Sequence, residues 1–388
     1  MLDLSTIVAG PTASMILADL GADVIKVERM GSGEDGRAMG PHRGSWGAYF
    51  TTLNRGKRSI AIDLTKPEGK AAVVRLAQTC DVWLENFRGG TAKRLGLDEA
   101  VVRKHNPEII YAALSAYGPS GPDYTRPGYD GILQARTGIM SITGDGTGPP
   151  VRAGVSVLDM GTGIWMALGV LAALLERKST GKGQRVDASL FQTGVMFMAY
   201  HLLYRQFAGV NPGPQGSRHT AFAPYGAYQA ADGFVMIGIS SDKAFARLCG
   251  VLGHAEWSTD TRFLSNQDRV RNTLVLDSLM NDALHARTAA EWKALLDAVD
   301  IAADPVQTAE QVLADPQLAA LDQLASVALD GNGEVLLPHL PLGLSQSPPG
   351  IQGPPPKIGE HTEAILLEAG FAPGEIADLR RNQCVGGD

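Results

Sequence analysis

The sequence predicts an α/β protein, with a Rossmann-like parallel core and a second, smaller α+β domain. Three observations carry this. Short β-branched runs alternate with helical periodicity through the first 115 residues, the pattern of a doubly wound sheet. The alternation stops near residues 209–218, where glycine and proline punctuate the chain and hairpin signals take over. At 388 residues the chain is large enough for two domains.

Residues 2–8 (LDLSTIV) read as the first strand. Ala9-Gly10-Pro11 turns the chain, with Pro11 suited to a first helical position. Residues 12–20 follow as a helix, with Met15, Ile16 and Leu20 at helical spacing and Gly21 as its stop. Residues 23–27 make the next strand and complete a βαβ unit. A dinucleotide site would use Glu28 on a ribose, but the G-x-G-x-x-G turn is missing, and only Gly10 stands in its place. Residues 29–58 are loop-like and carry Arg29, Arg37, Arg43, Arg55, Lys57 and Arg58. Arginines grouped at a sheet edge suit bidentate binding of phosphate or carboxylate, and a solvated loop explains them equally well. Further strands fall at residues 59–63, 81–85 and 109–115, with a helix at 67–78 and a short one before Asn106-Pro107. Ligands of such sheets sit at the carboxyl ends of the strands, here residues 8–10, 28–29, 63, 86–87 and 115–117.

After a proline- and glycine-bearing loop, Gly128-Tyr129-Asp130 opens an apolar segment to residue 142. The stretch 154–183 then runs from a short β-branched segment through Asp159, a glycine-loosened turn and an apolar helix to the exit KSTGKG. Asp is a favoured N-cap, and the positive end of a helix keeps a carboxylate ionised. An ionised carboxylate beside glycines is also a candidate nucleophile, though taken alone Asp159 reads first as a cap. A second helix is expected over 187–204, with Met196, Phe197, Met198 and Tyr200 in the core. Beyond it, 227–230 and 234–237 flank an Asp-Gly turn as a hairpin. Helices follow at 242–252, 273–286, 288–299 and 308–314. A hairpin at 325–337, a proline-rich linker at 347–356 and helices at 361–369 and 373–382 complete the chain.

Composition narrows the function classes. Charged residues are 19% and apolar ones 44%, as in soluble globular proteins, and the net charge of −7 argues against a nucleic-acid partner. Cys80, Cys249 and Cys384 lack CxxC spacing and read as reduced cytosolic thiols. No signal peptide is visible, and the longest apolar run, 160–175, is short of a membrane span and reads as a buried core helix. The expectation is a cytoplasmic protein without a membrane partner. No metal-ligand cluster is evident among the eight histidines.

Several ordered stretches resemble the class III coenzyme A transferases: AGPTASMILADLGADVIKVER, NRGKRSIAIDL followed by PEGK, DVWLENFRGG, the Asp159 helix with its KSTGKGQRVDASL exit, and GEHT near the end. The resemblance spans essentially the whole chain. It implies a large Rossmann-like domain made of residues 1–208 with 325–388 returning to it, a small domain inserted over 209–324, and an interlocked homodimer. It implies acyl-CoA and small carboxylic acids as substrates, with no permanently bound cofactor. By the same resemblance Asp159 matches the aspartate that attacks the thioester, and Tyr129 and Asp130 match the loop beside it. Gly216 is the nearest match to the family's catalytic glycine loop. Arg29 and Arg94 would hold CoA phosphates, with Asn86 and Phe87 near its adenine or pantetheine. Val8 stands where formyl-CoA transferase carries glutamine, which argues against oxalate or formyl-CoA.

An α-methylacyl-CoA racemase belongs to the same superfamily and is the alternative. Its catalytic histidine corresponds to Tyr129, and a phenol with a pKa of about 10 is a poor base for a carbon acid at neutral pH. Transfer is therefore favoured. For the acceptor, the surplus of Arg37, His42, Arg43, Arg152, Arg218 and His219 suggests a small mono- or dicarboxylate, each cation being equally explicable as surface or a structural ion pair. The glycine-rich turn after Asp159 would supply amide donors to the oxyanions.

Overall fold

The computed structural model describes residues 1–387. Its large sheet has seven strands: β1 Leu2–Asp3, β2 Ile25–Glu28, β3 Arg58–Ile62, β4 Val82–Glu85, β5 Ile110–Ser115, β6 Arg185–Ser189 and β7 Val385–Gly386. Their order is β7-β3-β2-β1-β4-β5-β6, parallel throughout except for β7, which runs antiparallel on β3. The chain winds outward from β1 in one direction and from β4 in the other. A crevice therefore opens at the carboxyl ends of β1 and β4, the position where such sheets bind ligands.

The core of this sheet is a continuous apolar cluster that includes Leu2, Ile60, Val73, Leu76, Trp83, Tyr111 and Ile365. Trp83 and Tyr111 stack at 6.0 Å between neighbouring strands. Within it lies a buried polar network. The Asp3 carboxylate sits 3.6 Å from Lys26 and 3.1 Å from Lys57, and accepts the Ser14 hydroxyl at 2.6 Å. Burial pushes the Lys57 ammonium down to about 8, against the pull of Asp3. Arg55 closes on Asp19 at 2.6 Å, both buried. Each charge is tolerable there only because its partner is present.

Several sequence expectations need correction. The first strand is two residues long, not seven: Ile7 takes φ +72°, an unfavourable region for a β-branched residue, and its N–H is held by Glu34 Oε2 at 2.8 Å. Strands β6 and β7 were not expected, because β6 alternates charged and small residues and β7 is only two residues long. The expected helix over 187–204 is β6 followed by two helices, Leu190–Phe197 and Ala199–Ala208. Of its supposed core residues only Met198 is buried; Met196, Phe197 and Tyr200 are exposed.

Four helices position the candidate site: α1 Ala9–Asp19, α2 Asp130–Arg136, α3 Val157–Thr180 and α4 Leu190–Phe197. At 24 residues α3 is long and apolar enough to cross a membrane by length and composition, although only 44% of its apolar window is buried. Glycines let α3 pack closely. A Cβ on Gly163 would lie 2.7 Å from the Ala9 carbonyl oxygen and 2.6 Å from Thr12 Cβ on α1. The other face of α3, with Ile164, Trp165, Leu168, Leu171 and Leu175, is exposed, which corrects the expectation of a buried core helix.

The chain divides into two compact units: Met1–Gly138, Ala153–Leu202 and Ala319–Asp388 form the first, Ile139–Arg152 and Leu203–Leu318 the second. Residues 139–152 and 203–208 thus belong with the second unit and 319–324 with the first, unlike the expected boundaries. The second unit has its own antiparallel sheet, in which Phe234–Gly238 pairs with both Tyr225–Gln229 and Ala302–Pro305. Its helices Asp242–Leu252, Thr273–Leu284 and Ala289–Asp297 bury Phe245, Leu276, Met280 and Trp292 in a separate core.

Candidate active site

The amino end of α3 is capped from outside its own sequence. Ser156 is the N-cap residue and makes no side-chain cap bond. Instead Asp130, the buried first residue of α2, accepts the N–H groups of Leu158 at 2.7 Å and Asp159 at 3.1 Å through Oδ2. Its Oδ1 accepts Gln134 Nε2 at 2.5 Å, and Gln134 Oε1 accepts the Ala153 N–H at 2.9 Å. Orphan amides at a helix start require such an acceptor.

Asp159 is therefore not the cap and does not follow a strand. It lies inside the first turn of α3, partly buried, and its carboxylate has no hydrogen-bond partner among the described residues. Burial, and secondarily the Asp130 charge, push its carboxyl up to about 7. The expected ionising effect of the helix end is reversed, because Asp130 has taken the amides that would have stabilised charge on Asp159. Nor do Gly161 and Gly163 form an open turn. Both are helical residues packed against Phe197 and α1, so their amides belong to the helix ladder rather than to an oxyanion site.

At the carboxyl ends of the strands a cavity of about 620 Å³ is lined by Leu4, Thr6, Arg29, Ile62, Leu64 and Phe87, among others. Two of the residues expected to contact CoA, Arg29 and Phe87, meet there. Arg29 is mostly exposed; it pairs with Asp35 and donates to the Gly33 carbonyl at 3.0 Å. Asn86 lies at the switch point, its amide bonded both ways to the Thr6 backbone, at 2.9 and 2.8 Å. Arg94 bonds Thr91 and does not line this cavity. Val8 is buried against Met15 and Leu53, so its side chain is a packing element and not a ligand contact.

The expected acceptor-binding cations are mostly committed elsewhere. Arg37 grips Glu28 with two bonds at 2.7 and 2.6 Å, donates to the Pro356 carbonyl and lies over the Phe50 ring. Burial works against charge on Glu28, yet Arg37 and the Ser59 hydroxyl hold its carboxyl below the usual range. Glu28 is thus an ion-pair partner, not a ribose ligand. Arg43 donates to the Glu334 carbonyl at 2.7 Å, and His42 Nε2 sits 3.1 Å from the Arg37 carbonyl. With Arg55, Lys57 and Arg58 also paired, the cationic loop is largely structural. Gly216 and His219 belong to the second unit. Gly216 takes φ +65° and bonds the Gly144 carbonyl; His219 is exposed and packs on Phe222 and Tyr225. Tyr129 precedes Asp130 and is 66% exposed.

Two groups escaped the sequence reading. Gln134 is one helical turn after Asp130, and the Asp-x-x-x-Gln spacing was available as a signal for that pair. Glu85, at the end of β4, is pushed up to about 7 by burial and, among the described residues, accepts only the Phe87 N–H. A single acid inside an apolar strand gave no such signal. Among the described residues no group of three or more His, Cys, Asp or Glu side chains is placed to hold a metal.

Comparison with known proteins places this geometry. The model of CoA-transferase family III matches residues 1–362. An acyl-CoA transferase of Fusarium pseudograminearum is 38% identical over 98% of this chain and 86% of its own length. A succinate–glutarate CoA-transferase of Agrobacterium fabrum is 36% identical over 95% of this chain and 94% of its own. Among solved structures, a CaiB/BaiF family protein from Brucella suis superposes with TM-score 0.87 at 34% identity, covering 95% of this chain and 97% of that one. The mixed α/β fold, the mainly parallel sheet and these matches along the whole length agree. The chain belongs to CoA-transferase family III and is a class III CoA-transferase.

Proposed function

We propose that the enzyme moves CoA from an acyl-CoA, succinyl-CoA being the first candidate, to a small mono- or dicarboxylic acid, with Asp159 as the nucleophile. The observation that carries this reading is a partly buried carboxylate with no hydrogen-bond partner among the described residues, at a helix start where Asp130 already takes the Leu158 and Asp159 amides. Relatives support the substrate class: one is a succinate–glutarate transferase, another acts with acetyl-CoA and oxalate, another with succinyl-CoA and D-citramalate. The cation surplus no longer supports it, since Arg37 and its neighbours are paired.

The Asp159 carboxylate attacks the thioester carbonyl, the new C–O bond displaces CoA thiolate, and a mixed anhydride results. Thiolate returns to the aspartyl carbonyl, the donor acid leaves as carboxylate, and an aspartyl-CoA thioester remains. The acceptor carboxylate then repeats the exchange, and thiolate departs bonded to the acceptor acyl group. No electrons change hands, and each intermediate retains the energy of the thioester. A serine ester would lose it. The elevated Asp159 pKa fits a group that must be both nucleophile and leaving group near neutral pH.

Arg29 and Phe87 in the 620 Å³ cavity are proposed to hold the nucleotide end of CoA. A homodimer is proposed as well, supported by the exposed apolar face of α3; sedimentation should give twice the chain mass. Incubation with succinyl-CoA and pooled organic acids, read by mass spectrometry, should yield new thioesters that vanish in Asp159→Ala. Full activity in that variant would remove Asp159 from the mechanism. Racemisation would instead appear as solvent deuterium at the α-carbon of a 2-methylacyl-CoA without an acceptor acid.

A further inference from the structure

We infer that Gln134 is a positioning residue for CoA transfer: by pinning one oxygen of Asp130 it commits the other to the amides of Leu158 and Asp159, and so leaves the Asp159 carboxylate without a bond of its own. The inference rests on Asp159 being the nucleophile.

The geometry leads there step by step. An acid in the first turn of a helix ordinarily finds donors at the free amides of that turn. In α3 that acid is Asp159, and Ser156 offers no competing side-chain cap. What keeps its carboxylate off those amides is their occupation, at Leu158 and at Asp159 itself, by Asp130 Oδ2. An aspartate's terminal torsion is broad, so Asp130 by itself would swing between the two helices. Gln134 removes that freedom. It is fully buried, and both ends of its amide are spent: Nε2 on Asp130 Oδ1, Oε1 on the Ala153 N–H, in the segment that leads into α3.

A buried glutamine with both ends bonded ties three pieces of backbone and one carboxylate together. The Asp130 charge acts on Asp159, and the side chains that α1 and α4 set against Gly161 and Gly163 of α3 are Thr12, Thr193 and Phe197, which carry no charge. The Thr162 hydroxyl lies 2.6 Å from the Leu158 carbonyl oxygen and 2.8 Å from the Thr193 hydroxyl, so it too is committed away from Asp159.

Gln134→Met keeps the volume and removes both hydrogen bonds. Its kcat should fall roughly ten- to a hundredfold, the range for a misplaced reacting group, while KM for acyl-CoA stays within about twofold. Gln134→Glu keeps shape and, when protonated, the bond to Asp130, and serves if the first variant does not fold. Its kcat profile should turn from a single rise with pH into a bell, falling where the introduced carboxyl ionises against Asp130. Wild-type kcat and pH profile in Gln134→Glu, or in a folded Gln134→Met, would overturn the inference. Asp159→Asn is measured alongside. If it keeps full turnover, the nucleophile assignment itself fails; if it is dead while the Gln134 variants match wild type, only the positioning role does.

Discussion

The same carboxylate that is proposed to attack the thioester should weaken the fold at the pH where it works. Asp159 titrates near 7 in the folded chain against 3.8 for an unperturbed side chain. For an acid whose folded pKa is raised, stability is fully present below the unfolded value and is lost as pH rises through the folded one. The window is therefore pH 3.8 to about 7. At about 1.4 kcal/mol per unit, ionising Asp159 costs the folded state up to about 4 kcal/mol at pH 8, with partial exposure reducing this toward about 2. Asp159→Asn removes that cost and gains an amide donor beside Asp130. It should lose transferase activity while becoming more stable, by about 2–4 kcal/mol at pH 8 and by little at pH 4. Urea titrations of both proteins at the two pH values measure this. An equal difference at both, or a wild type that is the more stable at pH 8, would refute the account of why Asp159 is reactive.

Other outcomes follow from neighbouring geometry. Asp130→Asn removes the charge beside Asp159, so the rise of kcat/KM with pH should move to lower pH; a move upward would count against Asp130 as a source of the shift. Arg29→Ala should raise KM for acyl-CoA by about tenfold with kcat little changed, the size of one charge-assisted bond, as steady-state kinetics would record. Arg37→Ala leaves Glu28 buried and unpaired, so denaturation should report a loss of about 3–5 kcal/mol, with KM for the acceptor unchanged in the folded fraction. Gly163→Ala would set a methyl against the Ala9 carbonyl and should cost about 1–3 kcal/mol in thermal unfolding.

Local patterning carried a large part of the architecture. Strands β2 to β5, the hairpin Leu324–Ala328 with Glu334–Pro338, and the two tail helices were readable because apolar periodicity and glycine or proline stops act over a few residues. So was the family, from ordered motifs along the chain. Strand β7 was not, since two residues have no period, and its place depends on Val385 finding Ile62 more than 300 positions away. The cationic loop misled for a similar reason. Whether Arg37 awaits a substrate or grips Glu28 depends on the fold of the loop between them, which charge patterning does not contain.

Asp159 divides most clearly between the two levels. Its residue type, its place at the start of an apolar helix and its company of motifs were written in the sequence. Whether it would cap that helix or stand apart from it was decided by tertiary structure, because the amides go to whichever acceptor is held in place. Asp130, on another helix and fixed there by Gln134, holds that place, and burial then does the rest by raising the pKa of the carboxyl left over.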